Sequence, residues 1–329
     1  MGNSKERMDI VSNQNVATPR FYISLNEYLH SVGKLEVSSL GGQDVSAISR
    51  LNPTNPITII SDNESIDFTF DNITSLLSDN GYFAILGHNF ATQSSQFSIK
   101  DPEEATSISE TEIVNSTVTG NYYRTADNDG FTIVSCNYGN FIEASTGVRL
   151  AVTGSPSISS ISFGNFYDMP VSPDLSVKLS HEFGGIKQTE TRGGATLSNA
   201  NWIKPPKWGD LEAWQLGGWN SVYSGRRVWD LSWSYVSDSD LEPRNYTGTS
   251  LDDAGNVVDG ASNWFQDVLR FTMGGHLPFI FCPDTSIEYN PDTFTVPEFA
   301  ICRFDMDTFE RTQVANNVYN ISLKIRESW

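Results

Sequence analysis

The residues of this chain whose types could do acid–base or metal chemistry are its histidines and its closely spaced aspartates. The four histidines are scattered along the chain, at His30, His88, His181 and His276. No zinc-binding His-Glu-x-x-His motif, phosphate-cradling glycine loop or Gly-x-Ser-x-Gly nucleophile elbow is present. The spacing of these residues therefore predicts a protein that is not an enzyme and has no catalytic residue and no cofactor.

Two pairs of aspartates could suggest a calcium site, and they are Asp238/Asp240 and Asp252/Asp253. Both pairs lie in polar stretches, and neither is followed by the closing glutamate of a twelve-residue calcium loop. We interpret them as solvated loops and expect no metal.

Tryptophan is the most unevenly distributed residue type. Six of these side chains fall within 32 residues, at Trp202, Trp208, Trp214, Trp219, Trp229 and Trp233. Trp229 and Trp233 share the parity of Leu231 along one predicted strand, which favours a place in the core. Tryptophan is also enriched at the centres of protein interfaces, and its flat ring can stack on a sugar.

Three of these tryptophans lie in stretches rich in proline and glycine, which indicate loops. Trp202 and Trp208 flank Pro205 and Pro206, and Trp219 follows a pair of glycines. We predict that Trp202, Trp208 and Trp219 lie at a protein interface, with Trp208 and Trp219 as possible carbohydrate contacts.

Composition excludes several classes of protein. The chain has 329 residues with 40 acidic and 21 basic side chains, so its formal charge is −19, which argues against a sequence-independent DNA binder. Its 39 aromatic residues supply a core and exclude a disordered polyelectrolyte. The longest apolar run is five residues, 82–86, against roughly 18 for a membrane span, so we expect none. Three dispersed cysteines fit synthesis in a reducing cytoplasm.

The pattern of short apolar segments between turn signals predicts a mainly β protein. The candidate strands are 57–60, 66–70, 82–86, 96–99, 131–136, 148–152, 158–163, 175–179, 187–191, 228–236, 279–281, 299–304 and 318–325. One α-helix is expected over 263–273, where Trp264, Phe265, Val268, Leu269 and Met273 recur at helical spacing.

The domain organisation that we expect has three parts. Residues 1–55 form an extended N-terminal arm, in which Phe21, Tyr22 and Leu25 latch onto a neighbouring molecule. Residues 56–166 form a jelly-roll-like β-sandwich. Residues 167–329 form a second β domain that carries the helix 263–273. The boundary falls in 167–174, which holds two prolines and two acids.

Several segments resemble tailed-phage virion proteins. The segments 82–90 (YFAILGHNF) and 158–164 (ISSISFG) are similar to a galactose-binding-like jelly roll. The segments 227–233 (RVWDLSW), 277–284 (LPFIFCPD), 299–304 (FAICRF), 313–315 and 319–327 (YNISLKIRE) resemble, in this order, minor tail proteins of the distal-tail or tail-hub type. In the familiar members of that family the tube-like domain precedes the sandwich, whereas here the sandwich comes first.

The resemblance implies a structural protein of the virion tail, made in the host cytoplasm. Such proteins form closed rings, with a hexamer favoured here, that join the tail tube protein to tail-tip, hub or fibre proteins. The resemblance also implies a tube- or hub-like fold for the second β domain. DNA would be a passenger rather than a ligand, because an acidic channel wall repels it.

Two other functions stay open. A carbohydrate-binding protein for host attachment predicts glycan contacts at exposed tryptophans, and a neck or adaptor component predicts the same kind of assembly at another station of the tail. A glycan-cleaving enzyme needs two converging carboxylates, which the spacing does not show.

Overall fold

The computed structural model describes residues 18–60, 64–71, 76–77, 79–103, 109–119, 123–140, 146–209, 211–217, 225–242, 263–293 and 295–329. These residues are mainly β with little helix, and the predicted fold class is confirmed. The strands of the first half are β1 (Arg20–Ser24), β2 (Glu36–Ser39), β3 (Ile57–Thr58), β4 (Glu64–Thr69), β5 (Gly81–His88), β6 (Gln96–Lys100), β7 (Ser109–Val114), β8 (Ser116–Thr119), β9 (Tyr123–Ala126), β10 (Gly130–Asn137), β11 (Gly147–Val152), β12 (Ser157–Ile158) and β13 (Ser160–Asp168).

The strands of the second half are β14 (Lys178–Glu182), β15 (Ile186–Glu190), β16 (Thr196–Ala200), β17 (Lys207–Trp208), β18 (Leu211–Glu212), β19 (Arg226–Ser237), β20 (Phe279–Cys282), β21 (Ala300–Phe304), β22 (Arg311–Ala315) and β23 (Val318–Glu327). The helices are short: α1 (Leu25–Ser31), α2 (Phe90–Gln93), α3 (Asp238–Leu241), two 3-10 turns (Ser46–Ser49 and Tyr138–Asn140) and one π-helical turn (Phe265–Leu269).

One antiparallel sheet of 11 strands forms the frame of the molecule. Its order is β14-β19-β23-β21-β20-β1-β13-β5-β10-β7, with β22 paired to β23. Strand β1 lies inside this sheet, where Phe21 faces Tyr167 of β13 on one side and Phe281 of β20 on the other. The sheet therefore contains strands from all three predicted parts of the chain.

The prediction of an extended arm is wrong for residues 18–55, and residues 1–17 lie outside the described residues. Phe21, Tyr22 and Leu25 are buried in the core of this chain rather than presented to a neighbour. This part of the sheet is covered on both faces, so the three central side chains of β1 are apolar without alternation. Phe21 and Tyr22 accordingly point into different cores.

A β-sandwich forms where a second sheet covers one half of the frame. This sheet has the order β2-β4-β11-β6-β9-β8 and packs on β13, β5 and β10. Phe163 of β13 lies at the centre, with its ring centroid 5.2 Å from that of Phe68 and 6.1 Å from that of Phe83. Leu25 and Leu29 of α1 join the same core, so the sandwich uses residues of the expected arm as well.

The helix expected over 263–273 is shorter than predicted. The π-helical turn begins after Asn263, whose Oδ1 accepts a hydrogen bond from the Gln266 N–H at 3.0 Å. Beyond Leu269 the chain continues as turns, which end where Gly274 and Gly275 adopt positive φ. Trp264 is fully buried and meets Phe21 edge-to-face at 5.1 Å. This segment covers the C-terminal half of the frame.

Candidate functional site

Exposed apolar side chains are concentrated at one edge of the frame, over residues 175–203, which we call the hairpin surface. Of the seventeen exposed large apolar side chains in the described part of the chain, seven fall here. They are Leu175, Val177, Leu179, Phe183, Ile186, Leu197 and Trp202, with exposed fractions from 45% to 106%. A large exposed apolar patch on a protein marks an interaction site.

The hairpin surface is built from an edge strand and a ribbon that leaves the frame. Among the described residues, strand β14 pairs with β19 alone, which leaves its other edge without a neighbouring strand there. Gly184 and Gly185, with φ of +81° and +68°, then turn the chain into β15. Strands β15 and β16 pair only with each other, and all ten of their residues are exposed. The ribbon therefore has neither a neighbouring strand nor a covered face in the described structure.

Trp202 lies at the base of this ribbon, as an accessible side chain. Its ring is 65% exposed and stacks on Phe183 with centroids 5.7 Å apart. Its prediction as an interface residue is compatible with this position. Trp219, another of the three predicted loop tryptophans, lies outside the described residues.

The charge of this region differs from that of the rest of the protein. Within residues 175–203 the basic side chains are Lys178, Lys187 and Arg192, and the acidic ones are Glu182 and Glu190. The stretch is thus cationic in a chain of net charge −19. An anionic protein surface is its electrostatic complement.

A second candidate site is a pocket of about 350 Å³ on the face of the frame opposite the π-helical turn. Three indole rings line it, those of Trp208, Trp214 and Trp329, and we call it the indole pocket. Its volume lies at the lower end of the range for small-molecule sites. Trp208 and Trp214 are buried, whereas Trp329 is 39% exposed.

Trp208 is placed differently from its predicted position in an open loop. It belongs to the short strand β17 and packs against Gly87, whose missing Cβ leaves room mainly for the Ser159 side chain and also for the Trp208 Cβ. Its ring meets that of Trp214 at a centroid distance of 4.3 Å and an angle of 68°. Because it is buried, Trp208 offers no open face to a partner protein, and a sugar could reach it only inside the indole pocket.

Charged groups form the polar part of the indole pocket. The carboxylate of Glu27 is buried, lies 3.1 Å from Arg50 Nε and accepts the Leu51 N–H. Arg303 is exposed on β21, on the same face as Ile301, and has no acidic partner among the described residues. The charged lining residues therefore carry a net positive charge.

The histidines and aspartates that the structure describes do not converge on a further site. His88 is buried, with Nε2 2.9 Å from the Thr132 hydroxyl, and burial lowers its pKa to about 4. Asp238 and Asp240 begin the short helix α3, while Asp252 and Asp253 lie outside the described residues. No group of three His, Cys, Asp or Glu side chains in the described ranges could hold a metal ion.

Sequence reasoning missed Trp214, Trp329 and Arg303 as lining residues of one pocket. The tryptophan cluster contained Trp214, and a signal for Arg303 existed in the alternation of Phe299, Ile301 and Arg303 along one strand face. The sequence does not show the strand order that brings these residues together in one pocket.

Across the part of the chain that the structure describes, no helix is long and apolar enough to cross a membrane. No protein family, curated protein or solved structure matches this chain.

Proposed function

We propose that this chain is a structural, non-enzymatic component of the tail of a tailed bacteriophage, and that it works by assembling with copies of itself. The observation that carries the assembly is the hairpin surface. The assignment to a phage tail is supported by the sequence resemblance to distal-tail and tail-hub proteins.

An uncovered ribbon of this kind is poorly stabilised in a single chain. A two-stranded hairpin is marginally stable in water, because it buries little apolar surface and orders many residues. Here Ile186 and Leu197 are both more than half exposed, and the adjacent edge of β14 has unpaired backbone groups. A partner that covers the ribbon and the edge would bury the apolar side chains and pair the backbone.

The partner that the charges favour is a second copy of this chain. The ribbon side chains Lys187 and Arg192 complement the acidic remainder of the molecule, which carries most of the 40 carboxylates. A ribbon that docks on a different surface of the next copy makes a head-to-tail interface. Such an interface closes into a ring when the rotation per subunit divides a full turn, and we expect a hexamer.

The role that follows is mechanical. A ring joins the tail tube protein to tail-tip, hub or fibre proteins, and its central opening lets DNA pass without binding it. The same assembly would serve at a neck or adaptor position. The net charge of −19 supports passage of DNA, because an anionic wall repels the phosphates.

The test is the mass of the purified protein in solution, measured by light scattering over a concentration series, with electron microscopy of any multimer. We expect a discrete multimer with a central opening. The decisive variant replaces residues 186–200 by Asn-Gly. The cut ends are already neighbours, since the Asn201 N–H donates to the Gly185 carbonyl at 3.0 Å. This variant should keep the fold and be a monomer.

A matched pair of point variants separates a specific interface from general stickiness. Leu197→Ser removes an exposed leucine from the ribbon and should weaken assembly at least tenfold. Leu40→Ser removes an even more exposed leucine outside the hairpin surface and should leave assembly unchanged. A monomer at every concentration, or a multimer that survives removal of 186–200, would contradict the proposal.

A further inference from the structure

The indole pocket combines apolar ring surface with hydrogen-bonding groups at its rim. Trp208 and Trp214 form its buried wall, and the amide of Asn52 and the hydroxyls of Thr54 and Ser328 also line it. An indole has flat apolar faces and one polar N–H. A pyranose ring is its chemical complement, because it has C–H faces for the indole and hydroxyl groups around its edge.

The guanidinium of Arg303 is a positive charge that no carboxylate of the described residues neutralises. Glu27 in the pocket is already matched by Arg50 at 3.1 Å. The neighbouring arginine on the adjoining strand, Arg326, is held by Glu182 at 2.7 Å. Arg303 stands directly opposite Arg326 in the sheet and has no such carboxylate among the described residues. A guanidinium binds carboxylates through two parallel hydrogen bonds, so this side chain favours an acidic ligand.

The backbone at the buried wall is strained. Trp214 has a φ of +60°, in the left-handed region that bulky side chains avoid. Such a conformation is unfavourable for a bulky side chain and persists only where the surroundings hold it. It holds the Trp214 ring against Trp208 and Phe131, with centroid distances of 4.3 and 5.1 Å.

From this combination we propose that the indole pocket binds a saccharide that carries a carboxylate, with the sugar ring against the accessible indole of Trp329 and the carboxylate on Arg303. The inference does not depend on the assembly described above, because the pocket is formed within one chain. It adds recognition of an acidic glycan to a protein whose main role is structural.

The experiment compares two probes that differ in charge alone, the trimer of α-1,4-linked galacturonic acid and the neutral trimer of α-1,4-linked galactose. Binding to the full chain is measured by calorimetry and by tryptophan fluorescence. The acidic trimer should bind with a dissociation constant in the millimolar range or below, at least about tenfold tighter than the neutral trimer. Glucuronic and mannuronic acid trimers complete the panel and cover other ring stereochemistries.

Two pairs of variants assign the binding to this pocket. Arg303→Gln should remove the preference for the acidic trimer, whereas Arg326→Gln, on the adjoining strand, should retain it. Trp329→Ala should weaken the binding of both trimers about tenfold, whereas Trp202→Ala removes an exposed indole outside the pocket and should change neither. All four side chains are at least partly exposed, so the variants should fold.

Three results would overturn the inference. One is the absence of binding by all three acidic trimers at millimolar concentration. Another is equal affinity for the acidic and neutral galactose-series trimers. The third is displacement of the acidic trimer by inorganic phosphate at equal concentration, since the pocket would then be a simple anion site without a place for the sugar ring.

Discussion

The guanidinium of Arg227 and the carboxylate of Glu327 form a buried two-pronged ion pair across β19 and β23. Their side chains are each 1% exposed, with Nη2 2.9 Å from Oε1 and Nε 3.2 Å from Oε2. Arg227 also donates to Glu298 at 2.7 Å and to the Phe299 carbonyl at 2.8 Å. The hydrogen bonds of Arg227 therefore link β23 to the segment that precedes β21.

Removing the charge of Glu327 should be strongly destabilising. In Glu327→Gln the buried guanidinium loses its doubly hydrogen-bonded carboxylate and keeps the half-buried Glu298, and we expect the free energy of unfolding to fall by about 3 kcal/mol. Glu182→Gln breaks the neighbouring but half-exposed pair with Arg326 and should cost less than about 1 kcal/mol. Urea unfolding measures both, and equal costs would show that burial of the first pair does not matter.

His88 should make the protein less stable in mild acid. Burial holds its pKa at about 4, below the unfolded value of about 6.5, so the unfolded chain binds a proton more readily between these values. Stability should therefore be highest above about pH 6.5 and fall by about 3 kcal/mol as the pH drops towards 4. His88→Gln should remove this part of the slope. Parallel pH profiles for the two proteins would contradict it.

Phe21→Ala tests whether the N-terminal segment belongs to the core. The Phe21 ring contacts Trp264, Phe279 and Phe281 with centroid distances of 5.1 to 5.7 Å. The cavity left by its removal should lower the free energy of unfolding by about 3–5 kcal/mol. Leu40→Ala, at a side chain 81% exposed, should stay within about 0.5 kcal/mol of the parent protein. A small cost for Phe21→Ala is the result expected of a peripheral arm.

The three cysteines should be inert in the folded protein. Cys136, Cys282 and Cys302 are free and buried, and burial raises the pKa of each thiol, to about 12 for the first two. The thiolate is the reactive form, so Ellman's reagent should label none of the three quickly in buffer and all of them in urea. An added thiol in Ser198→Cys, on the exposed ribbon, should react at once. Fast labelling of the parent protein would show that a cysteine is accessible.

Much of the fold could be predicted from local patterns. Alternation over 318–325 predicted β23, because a strand that is buried on one face alternates between apolar and polar residues. The unbroken apolar run 82–86 predicted the central strand β5, because a strand that is buried on both faces is apolar throughout. Trp229 and Trp233 lie in the core as their parity indicated. Short strands that show neither pattern clearly, such as β1 and β22, were not predicted.

The place of each strand in the sheet could not be predicted in the same way. Phe21 lies beside Tyr167 and Phe281, and no pattern within residues 20–24 specifies partners so far along the chain. The indole pocket could not be predicted for the same reason. The sequence around Trp208 indicates a loop, and only the tertiary structure shows that β17 packs against Gly87. The uncovered ribbon was visible only as a predicted strand at 187–191, because exposure is a property of the assembled fold.

The position of β1 has a consequence for synthesis on the ribosome. Thr18, at its start, is hydrogen-bonded to Thr285, which is 267 positions further along the chain. At about 5–20 residues per second, β1 is translated about 13–53 s before this partner. Strand β1 can pair with β13 once residue 168 has emerged, but its other edge stays open until β20 is made, so the nascent chain should need a holding chaperone during that interval.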